Sequence, residues 1–332
     1  MATRQKIRYA VDLGMTVLLL LLPGCGAATD TRPPLPEESM TTMKEAFTRT
    51  SSISSVIHDP AFEGFGRLLF PTDGYYYSGD TLEELQLVYY SHIDPDETVE
   101  IVNALKERAE AGQTIFYDIY TEEEKAADPV KEDTGLFFFR GTPGEKFAIC
   151  NAGGAFAYVG AMQDSFPHAL ELSRKGYNAF ALIYRPGAQT ACEDLARAIT
   201  FLFDHAEELE VDTDCYSLWG GSAGARMAAW LGTYGPEAFG GGDLPCPGAV
   251  IMQYTGLNEY SELDPPTYAC VGDRDGIASW RVMQARLDAM RQAGIDTEFH
   301  VYPGLGHGFG LGTGTSAEGW LNDAAVFREK QM

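Results

Sequence analysis

The sequence is short of positive charge. Its 332 residues hold 24 lysines and arginines against 48 aspartates and glutamates, a formal net charge of −24. So acidic a surface repels phosphate backbones, which argues against nucleic acid as a partner. Cysteine is also scarce, at six residues. Beyond Cys25 these are Cys150, Cys192, Cys215, Cys246 and Cys270, an odd set whose spacing builds no disulfide framework. No Cys-x-x-Cys pair and no Cys/His pairing suggests zinc. Internal repeats are missing. The apolar run at residues 15–22, with its five consecutive leucines, is too short to span a bilayer as a helix. What remains is ordinary for a folded protein: 45% hydrophobic and 22% charged.

The short apolar run has its own meaning. Arg4, Lys6 and Arg8 precede it, and residues 1–24 read as an export signal. The string Leu22-Pro23-Gly24-Cys25 resembles a bacterial lipobox. That resemblance implies lipidation at Cys25 and membrane contact through the lipid anchor; plain secretion is the alternative. Residues 25–36, rich in Ala, Thr and Pro, read as a tether.

Residues 37–112 form a helical, aromatic-rich segment. Asp96 can cap a helix in which Val99, Val102, Leu105 and Ala109 recur at helical spacing until Gly112. A second helix is expected over 82–90. The aromatic stretch 62–77 is either an aryl-binding wall or core. The segment as a whole is either a lid over a site or a cover for a sheet.

Residues 113–332 change rhythm. Strands are expected at 115–120, 136–140, 147–151, 179–184, 215–219, 249–254, 267–271 and 298–302. Helices are expected at 164–175, 192–205, 223–234, 280–293 and 317–330. Short apolar strands alternating with amphipathic helices imply an α/β fold, a mostly parallel central sheet with helices on both faces.

One string stands at a strand-to-helix turn: Gly220-Gly221-Ser222-Ala223-Gly224. A turn that tight needs residues without bulk two before and two after the serine, and Gly220 and Gly224 meet this need. A serine is a weak nucleophile until a base takes its proton. Of six histidines, His307 alone lies in a glycine-flanked loop between the last strand and the last helix. His168 and His205 sit in helical patterns, His300 within a strand, and His58 and His92 in the N-terminal segment. The base needs an acid to hold its tautomer. Asp273 and Asp275 both follow the strand 267–271, and Asp275 is favoured by its distance beyond Gly272. The order Ser222, Asp275, His307 fits a Ser-Asp-His triad. The Ala223 amide, just after the nucleophile, is expected to bind an oxyanion, together with donors from the loop Asn151-Ala152-Gly153-Gly154-Ala155-Phe156. That loop lacks the Gly-x-Gly-x-x-Gly pattern of a nucleotide site.

Together these residues resemble the α/β-hydrolase superfamily, nearest the hormone-sensitive-lipase-like and feruloyl/acetylxylan-esterase-like carboxylesterases. The resemblance covers the chain from about residue 115 to its end. It is carried by Ala152-Gly153-Gly154-Ala155-Phe156, Ala181-Leu182-Ile183-Tyr184-Arg185, the Ser222 string, Gly272-Asp273-Arg274-Asp275 and Gly306-His307-Gly308-Phe309. It implies oxyanion donors at Gly154 and Ala155, and an acyl-enzyme mechanism on a small or carbohydrate-linked ester. Ala152 stands where such loops usually carry a histidine. No cofactor or metal is implied. A peptidase or amidase of the same fold, and a non-catalytic ligand-binding lipoprotein, are the alternatives.

Overall fold

The computed structural model describes residues 45–91 and 93–332. The expected export signal, Cys25 and the tether lie outside the described residues. By internal contacts the chain divides into Met1–Glu45 and Ala46–Met332, and every element below belongs to the second unit.

The N-terminal part of that unit is less helical than its sequence suggests. Helix α1 (Ile53–Ile57) is followed by 3-10 turns at Pro60–Phe62 and Gly66–Leu69. The expected helix over 82–90 is absent. Strands β1 (Tyr77–Ser78) and β2 (Gln86–Leu87) pair there as an antiparallel hairpin. Leu82, Leu85 and Leu87 are buried, so the apolar positions are used as expected, but from a hairpin. Gly79 takes a φ of +100°, and a Cβ on it would lie 2.3 Å from the Glu84 carbonyl oxygen. The chain therefore folds back on itself where a helix would have to run on. The Tyr77–Leu87 pairing, whose first strand lies outside residues 82–90, overrides the helical spacing.

Helix α2 (Pro95–Glu110) forms as expected, with Ile101, Val102 and Leu105 buried. Its cap is Asp94, which accepts the Asp96 N–H at 2.8 Å, and Asp96 lies inside the first turn. Pro95 explains the shift, because proline is favoured at the first helical position. The strand expected at 115–120 shortens to β3 (Phe116–Tyr117), and α3 (Glu122–Ala127) follows behind a Thr121/Glu124 capping box.

From there the expected alternation holds: β4 (Gly135–Phe139), β5 (Lys146–Asn151), α4 (Ala161–Asp164), α5 (Phe166–Arg174), β6 (Asn178–Ile183), α6 (Ala188–Asp204), α7 (Ala206–Leu209), β7 (Asp212–Gly221), α8 (Ala223–Tyr234), β8 (Ala249–Gln253), β9 (Thr267–Gly272), α9 (Trp280–Gln292), β10 (Thr297–Tyr302) and α10 (Trp320–Glu329). Eight strands form one sheet in the order β10-β9-β8-β7-β5-β6-β4-β3. β5 to β10 pair in parallel, while β4 runs antiparallel to β6 and β3 antiparallel to β4. Every residue of β4, β6, β8 and β9 is buried, as a sheet covered on both faces requires.

The helix expected over 164–175 is split at Ser165. Pro167 lies in the first turn of α5 and has no N–H to continue an earlier helix. The break leaves Asp164 as the last residue of α4, fully buried. Among the described residues no helix is long and apolar enough to cross a membrane. The C-terminal ends of β5, β7, β9 and β10 lead into the loops that carry the candidate residues, the usual position for a site in an open parallel sheet.

Candidate active site

Ser222 sits between β7 and α8 with φ 51° and ψ −113°. That left-handed region is sparsely populated by residues with a Cβ. Two glycines make the turn possible. A Cβ on Gly220 would lie 2.4 Å from the Gly224 carbonyl carbon, and one on Gly224 would lie 2.0 Å from the Asn151 carbonyl oxygen. The Ser222 N–H donates to the Gln253 carbonyl at the end of β8 (2.9 Å). The serine is thereby fixed at the head of α8, its side chain above the sheet.

His307 comes from the loop after β10. Its Nε2 is 3.0 Å from Ser222 Oγ, and its Nδ1 is 2.8 Å from Asp275 Oδ2. With Nδ1 facing a carboxylate, the hydrogen-bond network assigns the proton to Nδ1. Nε2 is then free to accept the serine proton. The Asp275 side chain is buried, and its Oδ1 accepts the N–H groups of Ile277 and Ala278, each at 2.7 Å. Both carboxylate oxygens are therefore committed, and the group cannot rotate without losing donors. Asp273 does other work: its exposed carboxylate accepts the Gly304 N–H (2.7 Å) and ties the β9 and β10 loops together. The structure thus brings Ser222, His307 and Asp275 into one hydrogen-bonded chain and leaves Asp273 outside it.

The loop after β5 abuts the nucleophile. A Cβ on Gly153 would lie 2.9 Å from Ser222 Cβ. Gly154, Ala155 and Phe156 follow at φ of 127°, 57° and 56°. Successive positive φ values at residues with side chains are uncommon and concentrate at functional sites. The N–H groups of Gly154 and Ala155 find no acceptor among the described residues. The Ala223 N–H, in the first turn of α8, has no intrahelical partner either. These are the three donors expected from sequence. The Gly153 N–H is occupied, donating to Asp164 Oδ2 at 2.7 Å. Tyr184, at the end of β6, donates its hydroxyl to the Ala152 carbonyl (2.7 Å) and braces the loop from below. Arg185 plays a structural part: its guanidinium meets the buried Asp194 carboxylate at 2.7 Å and locks β6 to α6.

The N-terminal segment reaches into this site. The Ser91 N–H donates to the His307 carbonyl (3.1 Å), and the Tyr158 hydroxyl bonds the Val88 carbonyl. Tyr76 stacks on Tyr158 with ring centroids 4.7 Å apart. The first part of the stretch 62–77 is core, while Tyr75 near its end is exposed. Phe62, Leu68, Leu69 and Phe70 are buried, and Phe65 stacks on Phe116 at 4.9 Å. An aromatic pair does flank the oxyanion loop, but from elsewhere: Phe156 stacks on Trp230 of α8 at 6.0 Å, both partly exposed.

Sequence reasoning missed a buried cluster behind the loop: Asp164, Tyr90 and Tyr254. Tyr90 Oη donates to Asp164 Oδ2 (3.1 Å), and Tyr254 Oη bonds Asp164 Oδ1. The Tyr254 ring meets the His307 ring edge-to-face at 5.1 Å. Burial, and then the charge of Asp164, push both phenols far above the usual tyrosine range, so both stay protonated donors. Among the described residues no group of three or more His, Cys, Asp or Glu side chains is arranged to hold a metal ion.

A family model described as BD-FAE matches residues 143–243, the part that carries β5 to α8. Solved structures of similar fold include an acetyl ester-xyloside bifunctional hydrolase from Caldicellulosiruptor lactoaceticus. It is 19% identical, covers 65% of this chain and 95% of its own, and has a TM-score of 0.57. The propionate-bound esterase Est2 of Thermogutta terrifontis is 21% identical over 59% of this chain and 89% of its own, with a TM-score of 0.53. MGS-M1, an α/β hydrolase from a Medee basin deep-sea metagenome library, is 21% identical over 60% and 92%, with a TM-score of 0.51. No curated protein matches the chain. The fold is that of the α/β hydrolases.

Proposed function

We propose that this chain is a serine carboxylic-ester hydrolase that works through an acyl-enzyme on a small or carbohydrate-linked ester. One observation carries the reading. A strained serine, a histidine and a buried aspartate form a continuous hydrogen-bonded chain, with 3.0 Å and 2.8 Å links, beside a loop of unused N–H donors. The similarity to solved esterases supports the same chemistry on the same fold.

The steps follow from the geometry. Ser222 Oγ attacks the ester carbonyl carbon while its proton passes to His307 Nε2. The carbonyl π electrons move to oxygen, where the N–H groups of Gly154, Ala155 and Ala223 receive the charge. Asp275 holds His307 in the tautomer that can accept, then stabilises the imidazolium. As the intermediate collapses, the carbon–oxygen bond to the alcohol breaks and Nε2 gives its proton to the leaving oxygen. Water repeats the sequence on the acyl-enzyme, and Ser222 regains its proton. The Phe156–Trp230 pair offers a flat apolar wall at the end of the oxyanion loop.

Ser222→Ala is the test. Turnover of p-nitrophenyl acetate should fall by about 10⁴ or more, and labelling by a fluorophosphonate should vanish. Retained turnover would sink the assignment. Matched ester and aminopeptide substrates separate an esterase from an amidase, since the leaving group is selected by the pocket and not by the serine turn. Export and a lipid anchor at Cys25 belong to the same proposal. Labelling with a fatty-acid analogue checks the anchor, and an unlabelled Cys25 removes it.

A further inference from the structure

Among the described residues, Asp164 is the carboxylate buried directly behind the candidate site, and its donors are all uncharged: the Gly153 N–H, the Tyr90 hydroxyl and the Tyr254 hydroxyl. A buried carboxylate is costly unless it is fully bonded, so an arrangement that keeps one in place calls for a reason. The surrounding glycines show how closely the chain is fitted to it. A Cβ on Gly221, the residue before the nucleophile, would lie 2.2 Å from Asp164 Oδ2. Cβ atoms on Gly160 and Gly308 would lie 2.4 Å and 2.8 Å from atoms of Tyr90. Tyr90 is thus wedged between the oxyanion loop and the histidine loop. It comes from the N-terminal segment, ahead of α2.

The bond to Gly153 is the informative one. It falls on the peptide just before the expected oxyanion donors. That peptide leads into three consecutive residues of positive φ, a path that needs outside restraint to persist. Charge-assisted bonds of this kind are the stronger class. Tyr254, the third arm, packs its ring on His307. One carboxylate therefore touches the oxyanion loop and the backbone before the nucleophile. Through two tyrosines it also reaches the base and the N-terminal segment.

We propose that Asp164 is a positioning residue for ester hydrolysis: it fixes the Gly153 peptide so that the Gly154 and Ala155 N–H groups stay aimed at the developing oxyanion. Tyr90 and Tyr254 hold the carboxylate in that posture. The N-terminal segment is then part of the site's scaffold, because it supplies Tyr90. This inference rests on the serine-hydrolase reading above.

Asp164→Asn tests it in the full chain. With its amide oxygen on the Gly153 side, the asparagine offers the Gly153 N–H a neutral acceptor in place of the charged one, and its NH2 faces the Tyr254 hydroxyl, which must stop donating, so the hold on the Gly153 peptide weakens. The expected result is a kcat on p-nitrophenyl acetate, per fluorophosphonate-titrated site, lower by at least about tenfold, toward the 10²–10³ of a lost oxyanion donor. KM should stay within about threefold, the pattern of an interaction made only in the transition state. Affinity for a trifluoromethyl ketone should fall in step with kcat/KM. Amide hydrogen exchange across residues 152–156 should rise about tenfold as the loop is released. Tyr90→Phe, which keeps the ring and deletes one donor, should move all four readouts in the same direction by a smaller factor. It decides the question if the asparagine variant does not fold. A folded variant with kcat per titrated site and loop exchange within twofold of the parent overturns the proposal. So does one in which only the melting temperature moves. Failure of the underlying reading looks different: the parent protein itself would neither turn over the ester nor react with the fluorophosphonate.

Discussion

Asp275→Asn is a one-atom change whose effect follows from which atoms face the carboxylate. Oδ1 accepts two backbone N–H groups, from Ile277 and Ala278, both at 2.7 Å. Oδ2 accepts from His307 Nδ1 at 2.8 Å. An asparagine has one acceptor and one donor to distribute. Turning its NH2 toward Ile277 and Ala278 leaves two N–H groups without an acceptor, at about 1–3 kcal/mol each. The amide oxygen therefore stays on the backbone side, and the NH2 faces His307. Nδ1 must then accept, which moves the ring proton to Nε2. Nε2–H points at Ser222 Oγ and can no longer take its proton. The geometry is intact but the tautomer is wrong. The corresponding loss in a Ser-His-Asp site is on the order of 10⁴ in kcat, or about 5.5 kcal/mol of transition-state stabilisation. Steady-state kinetics on p-nitrophenyl acetate, with KM and the melting temperature measured in parallel, make the assay. KM should change little, since substrate binding does not use the tautomer. A kcat within about tenfold of the parent, in a protein that melts like the parent, would refute the reasoning, because it would mean that Asp275 does not set the protonation of His307.

Two further outcomes concern stability. Asp264 and Arg286 form a buried ion pair (2.8 Å), and Asp264 also accepts from the Ser261 N–H at 3.2 Å and from the Thr233 hydroxyl. Asp264→Ala leaves the guanidinium buried without its anion and should cost about 3–5 kcal/mol, read as a fall in the denaturant midpoint; an unchanged midpoint would show that the pair is not what holds this loop. His168 is buried edge-on against Trp320, and burial lowers its pKa below the ordinary histidine value. The unfolded chain therefore binds the proton more readily. The stability this group contributes is complete above the unfolded pKa and is lost as pH falls toward the folded one, by up to about 1.4 kcal/mol per pH unit. Melting curves between pH 7.5 and pH 5 should show that slope in the parent and a shallower one in His168→Phe.

The parts of the site that sequence disclosed are those set by local backbone demands. Gly220 and Gly224 had to be glycine because their Cβ positions are filled by backbone four or five residues on, or at the end of the adjoining strand. Helix α8 runs over 223–234, the range its sequence predicts, because strand, turn and helix there follow without a break. His307 was legible because glycine-rich loops at strand ends are where a ring can be presented. Expectations failed where chain outside the window decided local form. The apolar spacing of Leu82 and Leu85 is equally good for a helix or for the buried side of a hairpin, and pairing between Tyr77 and Leu87 selected the hairpin.

The Asp164 cluster shows the limit more sharply. Its hydrogen bonds join residues 74 and 90 positions apart, so no window along the chain contains both ends. Yet the sequence held a trace of it. The stretch Gln163-Asp164-Ser165, with His168 beyond Pro167, sits in what its apolar neighbours mark as a core-facing helix, and all four of these polar residues are buried. Polar side chains that a helix directs inward must be bonded there, and the proline that breaks the helix leaves Asp164 at its final turn, where a carboxylate can reach another loop. A polar cluster at a helix break, just after a glycine-rich loop and ahead of a serine turn, is thus a physical signal for a loop-positioning group. Residue order alone carries that signal, provided that inward polarity is treated as a demand for partners instead of as noise in an amphipathic pattern.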